Sequence, residues 1–391
     1  MDRADVAIIG GGLIGCATAW RLALAGATVV LLEAGDVNTG ASGQNAGSLH
    51  FQIERRFLEN GEALADQAAS IVALSRLAVT DWRTIEQEIG ADLHVAMHGG
   101  LMVAETAEQV ALLERKAERE RREGLLVQTL DGDESRRKAP YLSPTILAAN
   151  LSRDEGHADP KAMTPALARA ASAAGAELRT HTPVTTIARQ GRGFRVGGAG
   201  WSLAADRVLV AAGAWTAPLC ARANIHMPLY PVALLMNATV RTRPIVPQLV
   251  QHVGRRLSLK QTHAGNVLIG GGWPSRLAQS AGTGFDLSQK PALIPDSVTG
   301  NLRAAAAVVP AVADLDLLRS WTGVTAISAD QLPVVGEVPR MPGLWVAAGG
   351  SAFTLGLTFA RLLSAAMSGH ATPELAIVSP ARFEHLNGFM G

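Results

Sequence analysis

Gly10, Gly12 and Gly15 stand in the spacing Gly-x-Gly-x-x-Gly, and an acidic residue, Glu33, follows downstream. These residue types suit the binding of a dinucleotide. The first glycine permits a tight turn, the second lets a pyrophosphate approach the backbone, and the third lets a helix pack closely on a strand. Amides at the helix start, around Leu13 and Ile14, then receive the phosphates. A carboxylate about 20 residues on, next to Ala34, bonds ribose hydroxyls. An acid there favours an unphosphorylated ribose, so NAD or the adenosine half of FAD fits and NADP does not.

The elements that must position these residues are legible. Val6-Ala7-Ile8-Ile9 is an apolar run of the kind buried in a parallel sheet, Cys16 to Ala25 reads as helix, and Thr28 to Leu32 as a second strand ending at Glu33. A second glycine-rich stretch, "VVGEVPRMPGLWVAAGGSAFTLGL", reads as a strand, a tight loop and a helix. Its uncharged core from Met341 to Ala360 is long enough to cross a bilayer, but Pro342 and four glycines make a poor transmembrane helix.

At 391 residues the chain is expected to form two domains. A net charge of +1 with 18% charged residues provides no basic field for nucleic acid or anionic lipid. Cys16 and Cys220 are the only cysteines, too few for an iron-sulfur cluster and without a CxxC pair. Asp2 and Asp5 spoil the positive start of a secretory signal, so a soluble, cytoplasmic protein without a membrane span is expected. Residues 105–123, "ETAEQVALLERKAERERRE", carry interspersed charges of both signs and read as an exposed helix with a solvated face.

The segment "GDVNTGASGQNAGSLH" resembles the loop that wraps FAD in the flavoprotein family of D-amino-acid oxidase, glycine oxidase and the sarcosine oxidase β subunits. The matching positions are Ser42, Gln44, Asn45, Ala46 and Gly47. Small residues there let backbone amides reach flavin and phosphate oxygens. The resemblance further places Val184, in "THTPVTTI", beside adenine, and supplies the Ala212-Gly213-Ala214-Trp215 turn in "ADRVLVAAGAWTAPL". Trp215 reads equally well as a core aromatic. The C-terminal block is similar through Trp321, Gly323, Asp330, Pro333, Gly336 and Gly349-Gly350, which implies helix-start amides at Phe353, Thr354 and Leu355 over the flavin. One cofactor thus accounts for both glycine runs.

The implied fold is α/β, with a Rossmann-type, glutathione-reductase-like FAD domain made from residues 1–80, 151–222 and 320–391. Residues 81–150 and 223–319 would build an α+β substrate domain with an antiparallel sheet, in which "RRLSLKQT" and "GNVLIGGGWP" are strands joined around His263-Ala264-Gly265.

In this family a neutral amine passes its α-hydride to flavin N5, giving an imine that water hydrolyses, and no dedicated base is required. Relatives similar to glycine oxidase hold the substrate carboxylate with an arginine in Gly-x-Arg-Pro, where this chain has Gly323-Val324-Thr325-Ala326. A second family arginine falls on Ala352. Other cations must then serve. The candidates are His50, Arg55, Arg56, Arg241, Arg243, Arg255, Arg256 and Lys260; Lys260, Gln261 and His50 are the first choices for lining the substrate pocket. No cysteine lies near "GGSAFTLGL", so FAD is expected to be noncovalent.

The segments "RRLSLKQTHAGNVLIGGGWPS" and "GSAFTLGL" are most similar to β subunits of bacterial dehydrogenases that oxidise opines or D-hydroxyproline. The resemblance implies a larger α subunit, a small ferredoxin-like subunit that carries any iron-sulfur cluster, and FMN at the interface between subunits. The alternatives are a self-sufficient oxidase using oxygen, a 2-hydroxyacid dehydrogenase that oxidises C–O, and a subunit that holds FAD only for structure.

Overall fold

A computed structural model of the chain describes residues 2–282 and 284–390. The Val6–Ile9 run lies at the centre of a sheet, in strand Asp2–Ile9, whose Val6, Ala7 and Ile8 are fully buried. This strand has a parallel partner on each side, Trp201–Val210 and Val29–Leu32. Glu177–Arg179 extends the sheet beyond Val29–Leu32, and Leu344–Ala348 extends it beyond Trp201–Val210, both in parallel. Val334–Glu337 closes that end antiparallel. A hairpin, Thr186–Gln190 and Gly193–Gly198, branches from the start of Trp201–Val210. Helix Leu13–Leu24 packs against helices Pro160–Ala173 and Gly356–Met367 on one face of the sheet.

A second sheet has eight strands in the order Leu317–Ser328, Leu229–Arg241, Asn266–Gly270, Ser258–Gln261, Leu249–His252, Gly100–Ala104, Ala148–Ser152 and Val127–Asp131. All its pairs are antiparallel except Leu249–His252 with Gly100–Ala104, which run parallel, so the sheet is mixed. The expected hairpin is present, with Lys260 opposite Leu268 and Gln261 opposite Val267. A short pair, Ser48–Leu49 with Gly156–His157, joins the loop after the first nucleotide-binding unit to the segment entering helix Pro160–Ala173.

The expected domain boundaries need correction at three points. Leu317–Ser328 pairs along its length with Leu229–Arg241, so a boundary at 320 cuts a strand of the second sheet. A boundary at 80 falls inside helix Val72–Ile89, which packs on the cofactor-side helices, and one at 150 falls inside Ala148–Ser152.

The charged helix also differs from its reading as a solvated surface. In Ala107–Arg122, Lys116 and Glu120 are fully buried and Arg119 is nearly so. Lys116 Nζ lies 2.8 Å from Glu120 and donates to Gln52 Oε1 at 2.8 Å, while Glu120 accepts the Ile53 amide at 2.6 Å. The helix therefore supports residues 52–53 from behind. Among the described residues, no helix is long and apolar enough to cross a membrane.

Candidate active site

Both sheets contribute to one cavity of about 1020 Å³, just above the range of roughly 300–1,000 Å³ for small-molecule sites. One end is the glycine turn. Gly10 has φ +115°, and a Cβ there would lie 2.5 Å from the Ala211 carbonyl oxygen. A Cβ on Gly15 would lie 2.0 Å from the Gly10 oxygen, so the turn closes only on glycine at both places. Gly12, the N-cap of helix Leu13–Leu24, has no side chain to cap the first turn. Ser42 Oγ accepts the Leu13 amide at 3.0 Å, which ties the small-residue loop to the helix start. Glu33 is held by the Gly11 amide on Oε2 at 2.6 Å and the Gly35 amide on Oε1 at 2.8 Å. This fixes its carboxylate at the cavity edge.

Of the expected cofactor residues, Gly10, Gly12, Leu13, Ile14, Glu33, Ala34, Ser42, Asn45, Ala46, Val184, Ala212, Gly213, Trp215, Gly350, Phe353 and Thr354 line this cavity. Trp215 is 40% exposed, which removes the core-aromatic alternative. Gly15, Gln44, Gly47, Gly323 and Leu355 stand behind the wall instead. Gly47 packs on the Ala158 carbonyl and Gly323 on the Gln44 side chain. Leu355 is buried, and its amide donates to the Ser351 carbonyl at 3.0 Å; it precedes helix Gly356–Met367 as the N-cap. That amide is therefore already satisfied by its own turn.

At the other end, His50 meets the second sheet. Its Nε2 lies 3.2 Å from Ser258 Oγ, its backbone amide donates to Thr354 Oγ1 at 3.3 Å, and its Nδ1 is buried with no partner among the described residues. Burial holds its pKa below the ordinary imidazole value, against the pull of Glu54. Ser48 Oγ and Gln251 Nε2 are likewise buried without partners among the described residues. Unsatisfied polar atoms facing one cavity mark where a bound molecule would supply the missing hydrogen bonds.

Cations gather at the same end. Arg56 is committed to the protein: it donates to Glu54 at 3.3 Å, Ser351 Oγ at 3.2 Å and the Gln331 carbonyl at 3.1 Å, and lies 3.9 Å over the Phe57 ring. Burial opposes ionisation of Glu54, but Arg56, His50 and the Ser351 hydroxyl outweigh it and pull its pKa down to about 2. Arg55 pairs with Glu59. Arg256 also lines the cavity and, among the described residues, its guanidinium makes no hydrogen bond or ion pair. Arg241, Arg243 and Arg255 do not reach the cavity; Arg255 pairs with Glu105.

The expectation that Lys260 and Gln261 line the pocket is not met. Gln261 closes a neighbouring loop, accepting the Ile245 amide at 2.7 Å and donating to the Arg243 carbonyl at 2.9 Å. Lys260 is 2% exposed and reaches the Ala158 carbonyl at 3.4 Å, and burial pushes its pKa down to about 7. Gln251 and Ser258, which no motif singles out, do line it. They are register partners across adjacent strands, so their side chains share the cavity face. Ser258 precedes Lys260 by two on one strand, so alternation along the strand was the signal that could have found it.

The glycine turn, the fixed acid at the second strand and the small-residue loop fit an FAD whose far end meets a second sheet. This combination defines a flavin-dependent oxidoreductase. The chain matches the family described as FAD dependent oxidoreductase over residues 5–366, and it belongs to that family. It is 26% identical to a subunit of opine oxidase from Rhizobium meliloti, covering 98% of this chain and 99% of that protein. It is 32% identical to glycine oxidase of Geobacillus kaustophilus, covering 89% and 88%. The crystal structure of glycine oxidase from G. kaustophilus superimposes with a TM-score of 0.82 over 97% of this chain and 98% of that one, at 28% identity.

Proposed function

We propose that this protein oxidises a C–N bond of an N-substituted or D-amino acid, such as an opine or D-hydroxyproline, as the β subunit of a heteromeric dehydrogenase. When bound, FAD supplies a hydride acceptor for the carbon next to nitrogen. The observation that carries the reading is the single cavity shared by the nucleotide turn and the second sheet, with Arg256, Gln251 and His50 at its far end. Gly12, Leu13 and Ile14 would hold the pyrophosphate, Glu33 a ribose, and Val184 the adenine. The loop Asn45–Ala46 and the turn Gly350–Thr354 would flank the flavin.

Arg256 is the receptor for a substrate carboxylate in this reading, since the family's arginine positions hold Thr325 and Ala352 here. Gln251 Nε2 donates beside it, and His50 and Ser258 orient the rest of the molecule. Similarity to the R. meliloti opine oxidase polypeptide along nearly the whole of both chains supports the role within a complex. Two cysteines cannot hold an ordinary iron-sulfur cluster, so electrons would leave through a partner-borne centre, with FMN at the interface between subunits.

Anaerobic titration of the purified flavoprotein with opines, D-hydroxyproline, D-amino acids, sarcosine, proline and 2-hydroxyacids tests this. Bleaching by an opine or D-hydroxyproline is expected, and bleaching by 2-hydroxyacids alone would overturn it. The similarity to glycine oxidase favours a second reading, a self-sufficient oxidase. Oxygen consumption by the isolated chain at the rate of flavin reduction would establish that alternative.

A further inference from the structure

Outside the cavity, three metal-ligating side chains meet where separate segments converge. His94 lies in the loop after helix Val72–Ile89, Asp159 caps helix Pro160–Ala173, and His263 sits at the tip of the hairpin between Ser258–Gln261 and Asn266–Gly270. One ligating atom from each lies within 4.8 Å of the other two. The His94 and His263 rings stack at 3.5 Å between centroids with planes 20° apart.

A second carboxylate supports this group from outside. Asp92 Oδ1 accepts the His94 backbone amide at 2.8 Å and lies 3.2 Å from His94 Nδ1. A carboxylate on one imidazole nitrogen fixes the tautomer and raises the basicity of the other, as it does for histidines that bind metals. His94 thus faces another histidine and a carboxylate.

We propose that His94, Asp159 and His263 form a binding site for a divalent transition-metal ion of the zinc class. Asp159, with Asp92 behind His94, supplies negative charge for a dication, which would have to outcompete Lys260 for Asp159. Nitrogen ligands favour zinc, nickel or copper over magnesium and calcium, which take oxygen ligands. Three protein ligands leave a fourth position for water. His263 is exposed, so the site has an open approach, and a turn of its ring converts stacking into chelation. A bound ion would clip the hairpin tip to the helix that begins at Pro160. Asp159 follows Gly156–His157, the strand paired with Ser48–Leu49 just before His50, so the clip would stiffen that cavity wall.

The test uses flavin-loaded protein stripped with a chelator, then equilibrated with micromolar zinc chloride and measured by elemental analysis and thermal melting. One zinc per chain with a raised melting temperature is expected. His94→Ala and His263→Ala should each abolish retention, Asp159→Asn should lower it, and Asp92→Asn, which removes the carboxylate behind His94, should weaken it by about tenfold or more. His181→Ala, at the separate His181–Asp36 pair, should leave it unchanged. Unaltered flavin absorbance in each variant reports an intact fold. Absence of retained zinc in the parent protein, or equal retention in His94→Ala and His263→Ala, would overturn the site.

Discussion

Gln251 and Ser258 face each other across adjacent antiparallel strands, and both line the cavity beside Arg256. The turn that joins their strands therefore carries the polar end of the cavity. Arg256→Ala should raise KM for a carboxylate substrate at least about tenfold while changing kcat less, since it removes binding made equally in ground and transition states. Arg256→Lys should recover part of the loss, because a point charge replaces a bidentate fork. Steady-state kinetics decides, and an unchanged KM in the alanine variant would remove Arg256 from substrate binding.

Gly15→Ala should abolish retention of FAD. The added Cβ would sit 2.0 Å from the Gly10 carbonyl, which is backbone and cannot swing away. The ratio of flavin to protein absorbance after purification is the readout. A variant that keeps full flavin content would show that the helix can shift without loss of the site.

Lys116→Met should destabilise the fold by about 3–5 kcal/mol, because it leaves Glu120 buried without its cation. The double variant Lys116→Met, Glu120→Gln keeps an acceptor for the Ile53 amide and should recover much of that loss. Urea unfolding followed by fluorescence measures both. Equal stability of parent and single variant would mean that water or a shifted side chain compensates Glu120.

Lys260 gives a pH signature. Its pKa lies near 7 in the fold, against its ordinary 10.5, so between these values the unfolded chain binds the extra proton. Its contribution is full above 10.5 and is lost as pH falls through 7. The melting temperature of the parent should therefore rise relative to that of Lys260→Met as pH goes from about 7 towards 10. A constant difference between the two proteins across that window would place the Lys260 pKa at its ordinary value.

The nucleotide-binding unit was legible because its requirements are local: Gly10, Gly15 and Glu33 act through backbone spacing within one strand-turn-helix-strand unit. The far end of the cavity was not. Lys260 and Gln261 share a strand with Ser258, but which residue reaches the cavity depends on Ala158 covering the strand, a contact distant in sequence. Lys116 and Glu120 form an i,i+4 pair that reads the same on a solvated or a buried face, and only the packing against Gln52 and Ile53 distinguishes the two. Leu317–Ser328 was divided at 320 because its partner strand lies far upstream in the chain.

The first strand, Asp2–Ile9, is paired on one side with Trp201–Val210, and the Gly10 turn closes against Ala211. A ribosome making this chain from its N-terminus releases the glycine turn long before the strand that completes it. The turn cannot close until residues near 211 have emerged. Until Trp201–Val210 has emerged, the edge of Asp2–Ile9 that it covers is open to wrong pairing, so the early nascent chain is where chaperone dependence should concentrate.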